Sequence, residues 1–224
     1  MTAVAGEKAG QRRDARRNHE LLLAAAREVF AERGADASLE EIARRAGVGV
    51  GTLYRHFATR EALVEVVFER RIGEFVAVAE AAAAEPDGWL AFVGFLEQML
   101  EIQAGDRLLK EVLLRSPPGT GRVDRARAEM RGQFEAVLER ARTHGGLRAD
   151  FGFPDLAMLL WSFSTPIDAT SEAAPNAWRR HLHWLLDGLR AEAATPQTEP
   201  AMDAEQFQAA ILALRARRLS RGRP

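Results

Sequence analysis

Cysteine is absent from the 224 residues, which excludes disulfides, cysteine-ligated zinc and thiol catalysis, and suits a reducing compartment. Tyrosine occurs once, at Tyr54, lysine only at Lys8 and Lys110, and asparagine only at Asn18 and Asn176. A GC-rich genome would produce this preference for arginine and alanine, which is a statement about codons and not about function. No apolar run reaches the ~20 residues that a membrane-spanning helix needs. Met1 to Gln11 also lacks the continuous apolar stretch of a signal peptide, so a cytoplasmic protein with no membrane partner is expected. A large net charge is missing too: the formal value is -1, which argues against wholesale polyanion binding. The charge is uneven, however. From Lys8 to Arg60 basic residues outnumber acidic ones, with Arg12, Arg13, Arg16 and Arg17 gathered ahead of the first helical pattern.

Helical periodicity dominates and no convincing alternating strand is present, so the fold class expected is all-α. A first helix is predicted from Asp14 to Arg33, with Leu22, Ala26, Val29 and Phe30 on one face and Gly34 as its stop. Thr59 reads as the N-cap of a long helix through Leu63, Val67, Phe68, Ile72 and Phe75 to Ala84, closed by Pro86-Asp87-Gly88. Further helices are predicted at 89–104, 107–114, 124–144, 154–170 and 175–193, and a last amphipathic one carries Phe207, Ile211 and Leu214. The organisation expected is a disordered basic arm over 1–13, a small three-helix domain over 14–58 and a larger helical domain over 59–194. A linker, short helix and frayed basic tail occupy 195–224.

The run from Ala43 to Phe57 reads as the turn and second helix of a helix-turn-helix. Ser38 can accept from the amide of Glu41 while Glu41 reaches back to Ser38, a capping box that opens the helix before the turn. Gly47 supplies the positive φ of the turn, Ala43 the small residue where two helices cross, and Leu53 the aliphatic knob of the second helix.

Ser38, Ile42-Ala43, Ala46-Gly47-Val48, Gly51-Thr52-Leu53-Tyr54, His56-Phe57, Thr59-Arg60-Glu61 and Leu63 stand in an order and spacing that resembles the tetracycline-repressor-like (TetR) family of transcription regulators. The likeness covers about the first third of the chain. It implies a DNA-binding N-terminal domain followed by a ligand-binding and dimerisation domain. By that resemblance Tyr54, His56 and Arg60 contact DNA phosphates, and phenol, imidazole and helix-start amides are chemically able to donate to phosphate oxygens. Ser38 is grouped with them. Val50, Gly51, Thr52 and Arg55 form the front that meets base edges in the major groove, with Arg55 poised for either a bidentate guanine contact or a phosphate. Arg16 and Arg17 reach the neighbouring minor groove or phosphates, or else belong to a solvated tail. Gly49 departs from the family, which usually has a polar residue there, and removes one expected phosphate contact.

In the larger domain, Leu156, Leu160 and Phe163 make one helical stripe and Trp178, Leu182, Leu185 and Leu189 another. Such stripes either close an intrachain core or pair across a two-fold axis, and the resemblance implies the second, a homodimer seam. Trp89, Phe92, Phe95, Met99, Phe134 and Trp161 are pocket candidates for an apolar effector, although spacing alone equally describes a solid core. Gly47, Gly49 and Gly51 lack the preceding strand of a phosphate-binding loop. His181, His183 and Asp187 lack a fourth ligand and a converging geometry, so no metal and no cofactor are expected. Ser162 and Ser164 sit in no catalytic motif, and no catalytic residue is assigned.

The function expected is a ligand-responsive regulator, a repressor released from an inverted-repeat operator on double-stranded DNA by a small apolar molecule. The rivals are a constitutive DNA- or partner-binding helical protein, and an enzyme with its site in the helical domain.

Overall fold

The computed structural model describes the backbone of residues 2–34, 37–104 and 122–221, and side chains within 13–34, 37–104 and 124–213. All regular elements among the described residues are helical, and the chain divides into two compact units that part between Arg70 and Arg71. The predicted helix over 107–114 and the Pro-Gly-rich run 116–121 lie outside the described residues.

The first unit holds α1 (Thr2–Arg33), α2 (Leu39–Arg45), α3 (Val50–His56) and the opening turns of α4 (Arg60–Ala82). Leu22, Ala26, Val29 and Phe30 from α1 are buried, as are Ile42, Ala43, Leu53, Phe57, Leu63 and Phe68. These apolar faces make one core, without which the seven-residue α2 and α3 are too short to stand. Charged pairs frame it. Arg45 binds Glu32 through both terminal nitrogens at 2.8 and 3.0 Å, and Arg70 binds Glu20 at 2.9 Å through each.

α1 begins at Thr2, and this corrects the arm expected to be disordered over 1–13. Ala3, Ala5, Glu7, Lys8, Ala9, Gln11 and Arg12 are strong helix formers that outnumber Gly6 and Gly10, and with no proline in the stretch the backbone continues N-terminally from Asp14 without a stop.

The second unit holds the rest of α4, then α5 (Gly88–Gln103), α6 (Arg122–Thr143), α7 (Phe153–Thr170), α8 (Ala177–Leu189) and α9 (Ala204–Arg221). Asp87 caps α5 by accepting from the amides of Trp89 and Leu90 at 2.8 and 3.0 Å. Those bonds, that to Leu90 first, hold its carboxyl below the usual range. The last predicted helix of the larger domain divides at Arg190, whose extended backbone separates α8 from a 3-10 turn at Ala191–Ala193. Two arginines tie α4 into this unit. Arg71 donates to the Ile102 carbonyl at 2.7 Å, and Arg140 donates to the carbonyls of Ala82, Ala83 and Glu85. The second contact satisfies acceptors that the end of a helix leaves open.

Candidate nucleic-acid interface

The turn ahead of α3 is built by the backbone. Gly47 has φ +69°, its amide donates to the Arg44 carbonyl at 3.2 Å, and the Val48 amide donates to Ala43 at 3.0 Å. This doubly bonded ending of α2 is closed by a left-handed residue, and glycine takes that conformation without strain. Ser38 caps α2 as expected, accepting from the Glu41 amide at 3.4 Å. The reciprocal half of the capping box is replaced. Glu41 turns its carboxylate towards Arg33, Arg44 and Arg45, because three guanidinium groups attract it more than one amide does.

α3 then presents two faces. Leu53 is fully buried, as the knob on the inner side, while Tyr54 remains 49% exposed on the outer side. Gly51 and Arg55 are exposed beside it, with Val50, Thr52 and His56 half-buried. Arg55 lies along its own helix, donating from Nη2 to Thr52 Oγ1 at 2.9 Å and from Nε to the Gly51 carbonyl at 3.3 Å. Gly49 opens the helix without a side-chain cap, and Thr59 caps α4 by accepting from the Ala62 amide at 3.1 Å.

Three placements were not visible in the sequence. Arg60 donates to the Ala37 carbonyl, so it ties the start of α4 to the segment ahead of α2. His19 of α1 stacks on Phe57 with ring centroids 5.0 Å apart and sits 5.6 Å from His56. Burial, followed by the charges of His19 and Arg55, holds the His56 imidazole below its ordinary range, leaving it neutral near pH 7. Only a spatial arrangement could bring residues 19 and 56 together. Arg16 and Arg17 are exposed on α1, on a helix and not on a flexible arm.

The second unit revises the two other residue sets. Leu156, Leu160 and Phe163 of α7 and Trp178 and Leu182 of α8 are buried inside the unit itself, so the stripes assigned to a dimer seam close an intrachain core. Leu189 is half-buried, and only Leu185, 37% exposed, faces outward. Beside Leu185 in sequence, Trp184 is 59% exposed, with Arg180 over its ring at 4.8 Å. A stripe repeats at helical spacing whichever neighbour covers it, so periodicity alone could not tell the two apart.

Among the pocket candidates, Phe95 meets Phe134 edge-on at 4.8 Å and Trp89 meets Phe92 at 5.8 Å. Met99 is buried with them. Trp161 belongs to a different cluster, stacked on Phe207 of α9 at 5.7 Å. His183 faces Glu97 at 3.3 Å, whereas His181 lies against the Phe163 and Trp184 rings.

Two family profiles match the chain: "Bacterial regulatory proteins, tetR family" over residues 22–67 and "Transcriptional regulator SbtR-like, C-terminal domain" over residues 85–191. A TetR transcription regulatory protein from Mycobacterium vanbaalenii is 31% identical, with a TM-score of 0.58 over 80% of this chain and 99% of its own. The chain belongs to the TetR family of transcription regulators. A second TetR regulator, from Streptomyces coelicolor, is also 31% identical with a TM-score of 0.58, over 77% of this chain and 98% of its own. An HTH-type transcriptional regulator of Staphylococcus aureus (strain MRSA252) is 33% identical over 82 residues. That match spans 35% of this chain and 42% of the relative, less than half its length.

Within the TetR family the first profile spans α2 and α3, where the exposed Tyr54 and Arg55 lie. The relatives are named as regulators of transcription, and this sets the enzyme reading aside. No helix among the described residues is long and apolar enough to cross a membrane.

Proposed function

We propose that this TetR-family chain is a homodimeric repressor that binds an inverted-repeat operator through α3 and leaves it when a small apolar molecule binds the second unit. The observation that carries the reading is the two-faced character of α3: Leu53 is locked inward, while Tyr54 and Arg55 stand in solvent with hydrogen-bond donors. A helix so anchored can enter a major groove without unfolding its own unit. Tyr54, His56 and Arg60 then serve phosphates, and Val50, Gly51, Thr52 and Arg55 serve base edges. Ser38, Arg16 and Arg17 add contacts from the flanks.

Each α3 reads only a few base pairs, so tight binding requires two copies about 34 Å apart, one helical turn of DNA. The dimer seam passes to the side chains that α7 and α8 leave in solvent, Met158, Trp184 and Leu185, since the buried stripes are already occupied. An effector binds among Trp89, Phe92, Phe95, Met99 and Phe134 by parting their aromatic contacts, beside the end of α4 that Arg140 holds. Because α4 continues into the first unit, a shift at that end reaches the DNA-binding helices. Only differential affinity achieves this: a 100-fold preference for the DNA-incompetent state shifts the balance by about 2.7 kcal/mol.

The test is a titration of the full chain against duplexes from the region upstream of its own gene, repeated with a panel of apolar compounds. Sequence-selective, salt-sensitive binding that one compound class relieves is expected. Selective binding indifferent to the whole panel leaves a constitutive DNA binder, and absence of selective binding removes α3 as a reader.

A further inference from the structure

We propose that Thr52 is a positioning residue for base readout, holding the Arg55 guanidinium so that the free end of its fork meets a guanine. The inference rests on α3 being the helix that enters the major groove. Arg55 stands three residues after Thr52, on the same face of α3. Its Nη2 donates to Thr52 Oγ1 at 2.9 Å and its Nε donates to the Gly51 carbonyl at 3.3 Å. Nε and Nη2 form one edge of the planar group, and that edge is turned back onto the helix.

The remaining donors, those of Nη1 and the second hydrogen of Nη2, form the end of the fork. Two parallel donors at a fixed spacing match O6 and N7 of guanine, and no other base edge presents two acceptors side by side in the major groove. Thr52 therefore selects which edge of Arg55 is offered. A threonine hydroxyl suits this task because it accepts from Arg55 and keeps its own hydrogen for a second partner.

Water competes for these bonds in the free protein, where Arg55 is exposed. Once the groove excludes water, each bond strengthens and the arrangement becomes selective. A guanidinium already seated on its helix also loses less freedom on binding than one sweeping through solvent. The difference corresponds to roughly a two- to tenfold preference, the worth of one immobilised side chain.

The experiment selects duplexes from a randomised library with the full chain, then titrates the selected duplex and its single-base variants. Wild type, Arg55→Ala, Thr52→Val, Thr52→Ser and the Thr52→Val/Arg55→Ala double variant are compared. The expected result is a guanine at one position of each half-site, lost in Arg55→Ala. In Thr52→Val the preference at that same position falls roughly two- to tenfold. Thr52→Ser restores it, and Thr52→Val adds nothing at that position once Arg55 is alanine. An undiminished guanine preference in Thr52→Val at the position that Arg55→Ala abolishes overturns the proposal, as does a loss at that position that Thr52→Val still adds when Arg55 is already alanine. No selection by wild type, or selection that Arg55→Ala does not change, instead overturns the reading of α3 on which the proposal stands.

Discussion

A tyrosine hydroxyl and a histidine ring on one short helix answer to different variables. Tyr54 is exposed with its phenol outward, so Tyr54→Phe is expected to weaken binding on every duplex sequence alike. The slope of log affinity against log salt measures the ionic contacts separately: Arg16→Ala or Arg17→Ala flattens it by about 0.9 for each phosphate that is no longer neutralised. His56 makes the first unit sensitive to pH. Its folded pKa is depressed, so the unfolded chain takes up the proton first as pH falls through the ordinary histidine value of about 6.5. Stability present above that value is therefore lost as pH drops towards the lower folded pKa. Urea midpoints taken at about pH 7.5 and about pH 5.5 should show the fall. In His19→Asn the fall shrinks, since one of the charges that disfavour the imidazolium is gone, and an unchanged difference would show that burial and Arg55 set the shift without His19. The partner of His56 lies 37 positions upstream, too far for any local pattern to announce it.

Helix boundaries are legible wherever a residue has a distinct capping chemistry. Ser38, Thr59 and Asp87 accept from amides, Gly34 and Gly47 turn with positive φ, and the elements between them lie close to where the periodicity puts them. Gly47 offers a direct test of the turn. A Cβ added there meets nothing within 4 Å, so Gly47→Ala costs only the left-handed backbone of an alanine, about 1 kcal/mol, visible as a lower melting temperature. A loss several times larger would mean that the turn depends on more than its dihedral. The start of α1 departs from expectation because a basic cluster has the composition of a solvated tail, although its residues favour helix intrinsically. At the other end of the helix series, Phe207 anchors α9 on Trp161 and Phe153. Phe207→Ala should release α9 to rapid amide exchange while α7 and α8 stay protected.

Across the whole molecule the decisive question is which apolar faces the chain covers by itself. Leu182 is 0% exposed, so Leu182→Glu buries an unpaired charge and should unfold the second unit at any protein concentration. Trp184→Glu together with Leu185→Glu alters only side chains in solvent. That double variant should keep its helical content, sediment as a monomer and lose tight operator binding. Retention of a dimer would move the seam away from α8. The two variants separate folding from association, which the leucine spacing alone joined together.

The amino-acid sequence by itself determined the all-helical class, the helix-turn-helix with its glycine turn and buried Leu53, and the family, because these rest on local chemistry: helical period, caps, and residues at short fixed spacings. The tertiary structure decided which stripe faces which neighbour, that Arg55 lies on Thr52, that His19 meets His56, and that Arg140 holds the end of α4. Those relations join side chains by direction and distance. A linear pattern records how often an apolar or charged residue recurs, but burial depends on what the folded chain brings against it.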